Sequence, residues 1–555
     1  MKDDKVELVI AEETDNVSQT DEISEVITAT NSAHTQEVRI NKWKDSIAVK
    51  TIAYGLNGFF FSAYIVGNGK FIAALGDNQA GAGTLVSPYQ SVILGSSVGF
   101  CLGAGLEMSA LVGKENYRAA GNTAKAAWLL NAALGGIGSI AMLSTRWIFP
   151  LMFELETAKA AGDFFTGCSL GNIPMLMIVT DTQIGFNEGH WFIPPGVACI
   201  LFGSTTALSY LLAFRAELGA LGIGLGGSLA QIGVCAGLKL WFLQDTYKKY
   251  QLHQKLDAPL KEILTKLLST GWKLSLQRLT EWGNLMLIAT SIGIHSNKDL
   301  KASNPSIQYM GLIAASLQGI AQATGMLVVR NKGTQAKALE QKNNAEAMKW
   351  NHINKMTIIQ SNAIALLLNG AIAGTFYFCR EPLADFFLAD TEDHDTHVLA
   401  ETLLWVNMLG LLPDATRIIS AGALRAWGDI LWPTMMSLLT MIVLGLPVGY
   451  GLGEFFSGDV PENNEATWMF YTRDITMLMA SLLILIRCRN QVQADYRSIT
   501  AQNDESIQPE LVDEEQRVEA SSTTTRPSVN GNRYLFLSAT PSAATPSAQV
   551  ANYRP

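Results

Sequence analysis

Two carboxylates stand where carboxylates are costly. Asp414 lies inside the apolar stretch Leu403 to Leu424, and Glu281 interrupts another, Leu274 to Ile294. An ionisable group at membrane depth marks, by default, an ion or substrate pathway. Two acids sharing a low-dielectric cavity do not both stay ionised cheaply, so they share a proton or hold a cation. Na+, a hard ion, suits carboxylate, hydroxyl and carbonyl oxygens, whereas H+ suits a raised carboxyl pKa; the residues leave both open. A competing local reading exists, because Arg278 and Arg417 stand three residues from Glu281 and Asp414 respectively, at the spacing of a helical ion pair.

Such chemistry requires membrane-spanning elements, and the composition supplies them. The 555 residues are 48% hydrophobic and 16% charged, with 48 glycines. Charge is crowded into the two ends and a few connections, a segregation foreign to soluble chains of this length. A span needs about 20 mostly apolar residues. Roughly twelve such runs fall near 46–68, 83–112, 125–147, 161–186, 194–215, 218–243, 272–294, 305–329, 355–378, 398–424, 430–453 and 467–486. Backbone polar groups in hydrocarbon must be satisfied within the segment, so these are helices. The expected fold class is an all-α polytopic membrane protein of about twelve transmembrane helices.

The connection at 244–270 carries Lys248, Lys249, Lys255, Lys261 and Lys266 and divides the spans into six and six. The divisions expected are an acidic, disordered tail over 1–44, a first half over 45–243, the basic cytoplasmic linker over 244–270, a second half over 271–487 and a disordered tail over 488–555. The basic loops near Lys114 and Arg118, 244–270, 330–355 and Arg487 fall on one side, while Glu381 to Asp395 and Glu454 to Glu465 fall on the other. The excess of lysine and arginine then puts both termini in the cytoplasm. The start has no charged-then-apolar leader, so no cleaved signal peptide is expected. Weak internal similarity relates the halves: Gly185 through Pro195 and Gly422 through Pro433 each read as a helix end, a glycine-containing turn and a proline opening the next helix. Two related six-helix halves around a central cavity are the architecture of a secondary transporter.

Cys101, Cys168, Cys199, Cys235, Cys379 and Cys488 are scattered singly, as small apolar packing residues are. No phosphate loop, zinc-type histidine pair or serine elbow is present in the sequence. ATP-driven transport, enzymatic catalysis, a bound cofactor, a metal other than a coupling Na+, and a nucleic-acid partner are accordingly not expected.

Several stretches carry a family resemblance. Phe71 to Gly76 followed by Val112 to Gly121, Leu218 to Ala230, and Ala421 to Asp429 with Pro433 resemble the multidrug and toxic compound extrusion (MATE) transporters over about 45–487. Gly271 to Glu281 and Leu412 to Asp414 resemble the NorM-like bacterial branch, which implies cation coupling at Glu281 and Asp414. Many bacterial members place an aspartate late in the first span. Here that position holds Asn68, an amide that exchanges no proton; Glu107 and Asp181 are the acids of the first half that could substitute.

The resemblance implies export of amphipathic, cationic organic compounds in exchange for Na+ or H+ by alternating access, from a monomer in the plasma (bacterial inner) membrane. Gln318 and Gln322 on one helical face, Trp282 beside the acid, and Trp405 and Met408 in the tenth span are the cavity candidates, since aromatic faces attract cations and methionine adapts to varied shapes. Gly103, Gly105, Gly224, Gly226 and Gly227 are read as permitting close helix packing. Two rival readings share the architecture. One is a lipid-linked precursor flippase, which needs a basic cavity for which Arg278 and Lys273 are the nearby groups; the other is a non-transporting scaffold that recruits partners through its tails.

Overall fold

The computed structural model describes residues 20–522 apart from 77–79, 243, 257–258, 389–393 and 457–463. The regular structure of those residues is helical throughout. In chain order the helices are α1 (Thr20–Ala73), α2 (Ala80–Gly113), α3 (Tyr117–Ile148), α4 (Leu155–Cys168), α5 (Asn172–Asn187), α6 (Ile193–Tyr210), α7 (Gly219–Gly237), α8 (Gln244–Lys249), α9 (Leu260–His295), α10 (Asn297–Glu340), α11 (Asn344–Phe378), α12 (Arg380–Asp385), α13 (His394–Leu424), α14 (Leu431–Ser437), α15 (Leu446–Phe456) and α16 (Glu465–Ser522). Short π-helical stretches extend α6 and α7 and join α14 to α15.

Each expected span falls on one of these helices, with α4–α5 and α14–α15 each serving one span. Among the described residues, nine helical stretches are long and apolar enough to cross a membrane. The expected spans at 46–68, 161–186 and 272–294 are not among the nine. The second is broken into α4 and α5 at Ser169–Gly171, where Pro174 removes a helical donor and crowds the carbonyl four residues back. The third, within α9, gives up apolar positions to Lys273, Gln277, Arg278, Glu281 and Asn284. Outward-facing side chains identify the surrounding solvent as hydrocarbon: Leu367 of α11 is 76% exposed and Trp147 of α3 is 70% exposed.

The helix bounds differ from the expected tails. α1 begins at Thr20 rather than near 45, and its first 35 residues, Thr20 to Tyr54, hold no glycine or proline to stop it. α16 continues past 488 to Ser522. The chain divides into a body through Ile499 and a segment from Thr500. The outer tails, 1–19 and 523–555, and parts of the two acidic loops lie outside the described residues. The expected linker at 244–270 is partly helical, in α8 and the start of α9. It is docked on the first half, where Lys125 Nζ donates to the Gln251 carbonyl at 3.3 Å and Tyr250 is buried.

The halves repeat each other in backbone detail. At the end of α5, the N–H groups of Gly189, His190 and Trp191 donate to the carbonyls of Phe186, Gly185 and Gly189; at the end of α13, those of Gly428, Asp429 and Ile430 donate to Arg425, Leu424 and Gly428. Both central glycines are left-handed, φ 96° and 72°, and a proline follows each by the same interval, Pro194 and Pro433. Gly189 thus corresponds to Gly428, two residues out of register with the pairing of Gly185 and Gly422 read from the sequence. The α2–α3 and α10–α11 turns also match: Glu115 and Lys342 are left-handed, and Asn116 and Asn343 cap the next helix through their side-chain oxygens. Because only glycine adopts that φ without strain, Gly428→Ala should lower the melting temperature by the equivalent of about 1–2 kcal/mol, measured by thermal unfolding in detergent; an unchanged melt would mean that the turn relaxes freely.

The two halves meet through α1 against α10 and α2 against α9. Gly58 backs onto the Ala315 carbonyl and Gly319 onto that of Tyr54, so neither position has room for a Cβ. Gly103, Gly105, Gly224 and Gly226 likewise abut neighbouring helices, the packing role expected of them; Gly227 is looser, with only the Thr205 methyl nearby. Lipid supplies no hydrophobic drive for helix association, so close backbone approach of this kind is what holds such helices together.

Candidate functional site

Glu281 and Asp414 come together through one side chain. Arg417 sends Nε and Nη2 to Asp414 Oδ1 at 2.9 and 2.7 Å, and its Nη1 lies 3.6 Å from Glu281 Oε1 and 3.3 Å from Ser437 Oγ. The i,i+3 pairs anticipated as the local alternative are both present, Arg417 with Asp414 and, at 3.5 Å, Arg278 with Glu281. Glu281 also accepts from Gln277 Nε2 at 3.2 Å and from Gln318 Nε2 at 2.9 Å. A third guanidinium joins through Gln277, whose Oε1 accepts from Arg425 Nη2 at 3.2 Å. All five charged groups are buried. Neither carboxylate is a bare oxygen cage: a proton or Na+ arriving there competes with Arg417 for the same lone pairs.

Behind Asp414, α16 contributes an acid that the sequence reading missed. Asp474 is buried, packs against Gly410 of α13 and is paired with Arg473 at 3.0 Å; Arg473 also donates to Asn407 Oδ1. The signal was available, since Asp474 interrupts the apolar run 467–486 just as Asp414 interrupts its own.

Beside this cluster lies a cavity of about 110 Å³, lined by α1, α2 and α5–α6 of the first half and α9–α10 of the second. Of the cavity candidates, Trp282, Gln318 and Gln322 line it. Trp405 and Met408 do not. Trp405 packs against the cluster around Leu403, Val406 and Phe470 instead, and among the described residues none of α13 lines the cavity. Among the described residues, Arg278 is the one charged side chain lining the cavity.

The first-half candidates stand apart from one another. Asn68 is buried in α1. Glu107 is ion-paired with Lys266 at 2.6 Å beside a second cavity of about 240 Å³, where its side chain is one-fifth exposed. Asp181 is fully buried; it accepts from Trp128 Nε1 at 2.7 Å and faces Lys239 Nζ at 3.1 Å, which in turn lies over the Trp128 ring. Lys273 is half-buried and does not line the main cavity. Four of the cysteines are buried and all six are free thiols; Cys199 of α6 and Cys379, between α11 and α12, are exposed.

Long apolar helices in two repeated halves, with a cavity between them and buried acids beside it, define a multi-pass membrane protein. The MatE family model matches residues 351–451. A probable multidrug resistance protein NorM from Xanthomonas axonopodis pv. citri is 27% identical over 47% of this chain and 55% of its own length, so the match spans about half of that relative. Its counterpart from Xanthomonas campestris pv. campestris is 25% identical over 63% of the chain and 74% of its own length. Solved structures share the fold. A MATE transporter in complex with MaL6 superposes with a TM-score of 0.68 at 16% identity, covering 82% of this chain and 97% of that one. A MOP-superfamily transporter from Pyrococcus furiosus, described for the reversed polarity of its binding pocket, gives 0.68 at 16% identity over 81% and 96%. The matches to the MatE family model, to the NorM relatives and to solved MATE transporters together support a NorM-like member of the MATE family.

Proposed function

We propose that the protein is a secondary active transporter that exports amphipathic organic compounds in exchange for Na+ or H+, by alternating access, in a bacterial inner membrane with both termini cytoplasmic. The observation that carries this reading is the sharing of Arg417 between Glu281 and Asp414 beside a largely apolar cavity between the halves. The relatives' names, probable multidrug resistance proteins, agree with export.

Arg417 acts as the resident counter-cation of the empty carrier. A coupling ion that neutralises Glu281 or Asp414 frees Arg417 from one of them, and Gln277 and Gln318 lose their charged acceptor at the same time. Those bonds run between α9, α10 and α13, so the helices that wall the cavity change partners together. The accompanying rocking motion parts contacts at the end where α2 meets α10: Lys337 with Glu115 at 2.6 Å, Thr334 Oγ1 with the Gly113 carbonyl at 3.3 Å, and Arg330 with the Asn187 carbonyl at 3.4 Å.

A cationic cargo, which the resemblance implies, would rest on the Trp282 and Tyr54 faces, since among the described residues no carboxylate lines the cavity. One observation favours the flippase reading in part: the interior holds Arg278, Arg417 and Arg425, more basic groups than the sequence suggested. The test is efflux of a fluorescent organic solute from proteoliposomes under Na+ and H+ gradients imposed separately. One gradient should drive transport, and Glu281→Gln should reduce the driven component to the undriven rate. Driven transport that survives in Glu281→Gln would remove the coupling assignment, and no driven transport of any solute would favour the flippase.

A further inference from the structure

We propose that the cavity between the halves binds an amphipathic organic anion, with the anionic group on Arg278 and the apolar body against Trp282, Phe61 and Leu94. This rests on the transport reading above and names the chemical class of its cargo.

The lining carries the argument. It is largely apolar and aromatic, with amides and hydroxyls from Asn57, Ser91 and Gln322, and among the described residues Arg278 is its one charged member. Arg278 is 4% exposed, and its Nε is buried with no hydrogen-bond partner. Its Nη1 contact with Glu281 is long, 3.5 Å, because Glu281 already takes a shorter bond from Gln318 at 2.9 Å and shares Arg417. An unbonded guanidinium N–H in a dry wall is costly, and a carboxylate, sulfonate or phosphate oxygen satisfies it through a charge-assisted bond.

The charge of the surrounding cluster points the same way. Around the cavity wall, Arg278, Arg417 and Arg425 face Glu281 and Asp414, three buried guanidiniums to two buried carboxylates; the Arg473–Asp474 pair beyond them is internally neutral. The Nε of Arg425 is buried and unbonded as well. One uncompensated positive charge in a low-dielectric interior is expensive to hold. An anionic ligand offsets it, whereas a cationic ligand adds to it. The Trp282 ring and the apolar lining supply the burial that an amphipath needs and that a bare inorganic anion lacks.

The experiment is a charge series on one scaffold: dansyl-phenylalanine, its carboxamide and the corresponding primary amine, each titrated by fluorescence into full-length protein in phosphatidylcholine nanodiscs. The carboxylate should bind about tenfold or more tighter than the carboxamide and the amine. Arg278→Gln should erase that preference while still binding the carboxamide, and Arg278→Lys should keep part of it. Amine binding as tight as carboxylate binding in the wild type overturns the proposal whatever the variants do. So does a preference that survives in folded Arg278→Gln. Repeating the titration in discs enriched in phosphatidylglycerol separates the sources: displacement of the carboxylate assigns the site to a lipid headgroup, and no displacement assigns it to a soluble organic anion. Binding in discs needs no ion gradient, so a retained preference without ion-driven efflux would remove the transport reading alone.

Discussion

Arg417→Leu should be the most damaging single substitution in the second half, costing about 3–5 kcal/mol of stability and much of the folded yield. The change strips Asp414 of its guanidinium partner, leaving that carboxylate 3% exposed with no opposite charge in contact, and takes one of two from Glu281. The cost is that of an uncompensated buried charge rather than of a lost salt bridge, and this distinction makes the prediction testable. Asp414→Asn with Arg417→Gln removes both members of the pair and should recover most of the stability lost by either change alone, because Glu281 still holds Arg278, Gln277 and Gln318. Thermal unfolding in detergent across the four-protein cycle measures the coupling directly. Additive effects would mean that water already solvates the cluster. A stable double variant that has lost ion-driven efflux would separate the role of the pair in coupling from its role in folding.

The acids were legible in the sequence because an ionisable residue in an apolar run needs no tertiary knowledge to be noticed. Their i,i+3 arginines were legible for the same local reason: helical geometry alone places them within reach. The bond from Arg417 to Glu281 and that from Arg425 to Gln277 were not, since they join α13 and its extension to α9, and no spacing within one helix encodes which face of another it meets. Trp405 and Met408 failed as cavity candidates on that ground. They stand near Asp414 in sequence, but among the described residues none of α13 lines the cavity. Gln318, Gln322 and Trp282 line it because α9 and α10 form the wall itself. The repeat between halves was visible as a glycine-to-proline pattern, yet its register was decided by the left-handed positions Gly189 and Gly428, and composition cannot distinguish those from other glycines nearby.

At the crossing of α1 and α10, Gly319→Ala should destabilise the protein by roughly 1–3 kcal/mol or more, although alanine is the best helix former and glycine among the worst. A Cβ at Gly319 would meet the Tyr54 carbonyl oxygen, which is backbone and cannot rotate away, so the two helices must separate along the cavity wall that Gly58 and Gly319 share. Gly370 of α11 supplies the internal control. A Cβ there meets nothing within 4 Å, and Gly370→Ala should be neutral or stabilising by about 0.5–1 kcal/mol. The sign difference between two identical substitutions, read from melting temperatures in the same detergent, isolates close packing from helix propensity. Because separation of α1 from α10 widens one side of the cavity, Gly319→Ala should also weaken ligand binding at Arg278 and Trp282 while Gly370→Ala leaves it unchanged. Equal effects from the two would show that the halves are not held by this crossing, and the glycines would then owe their place to helix flexibility.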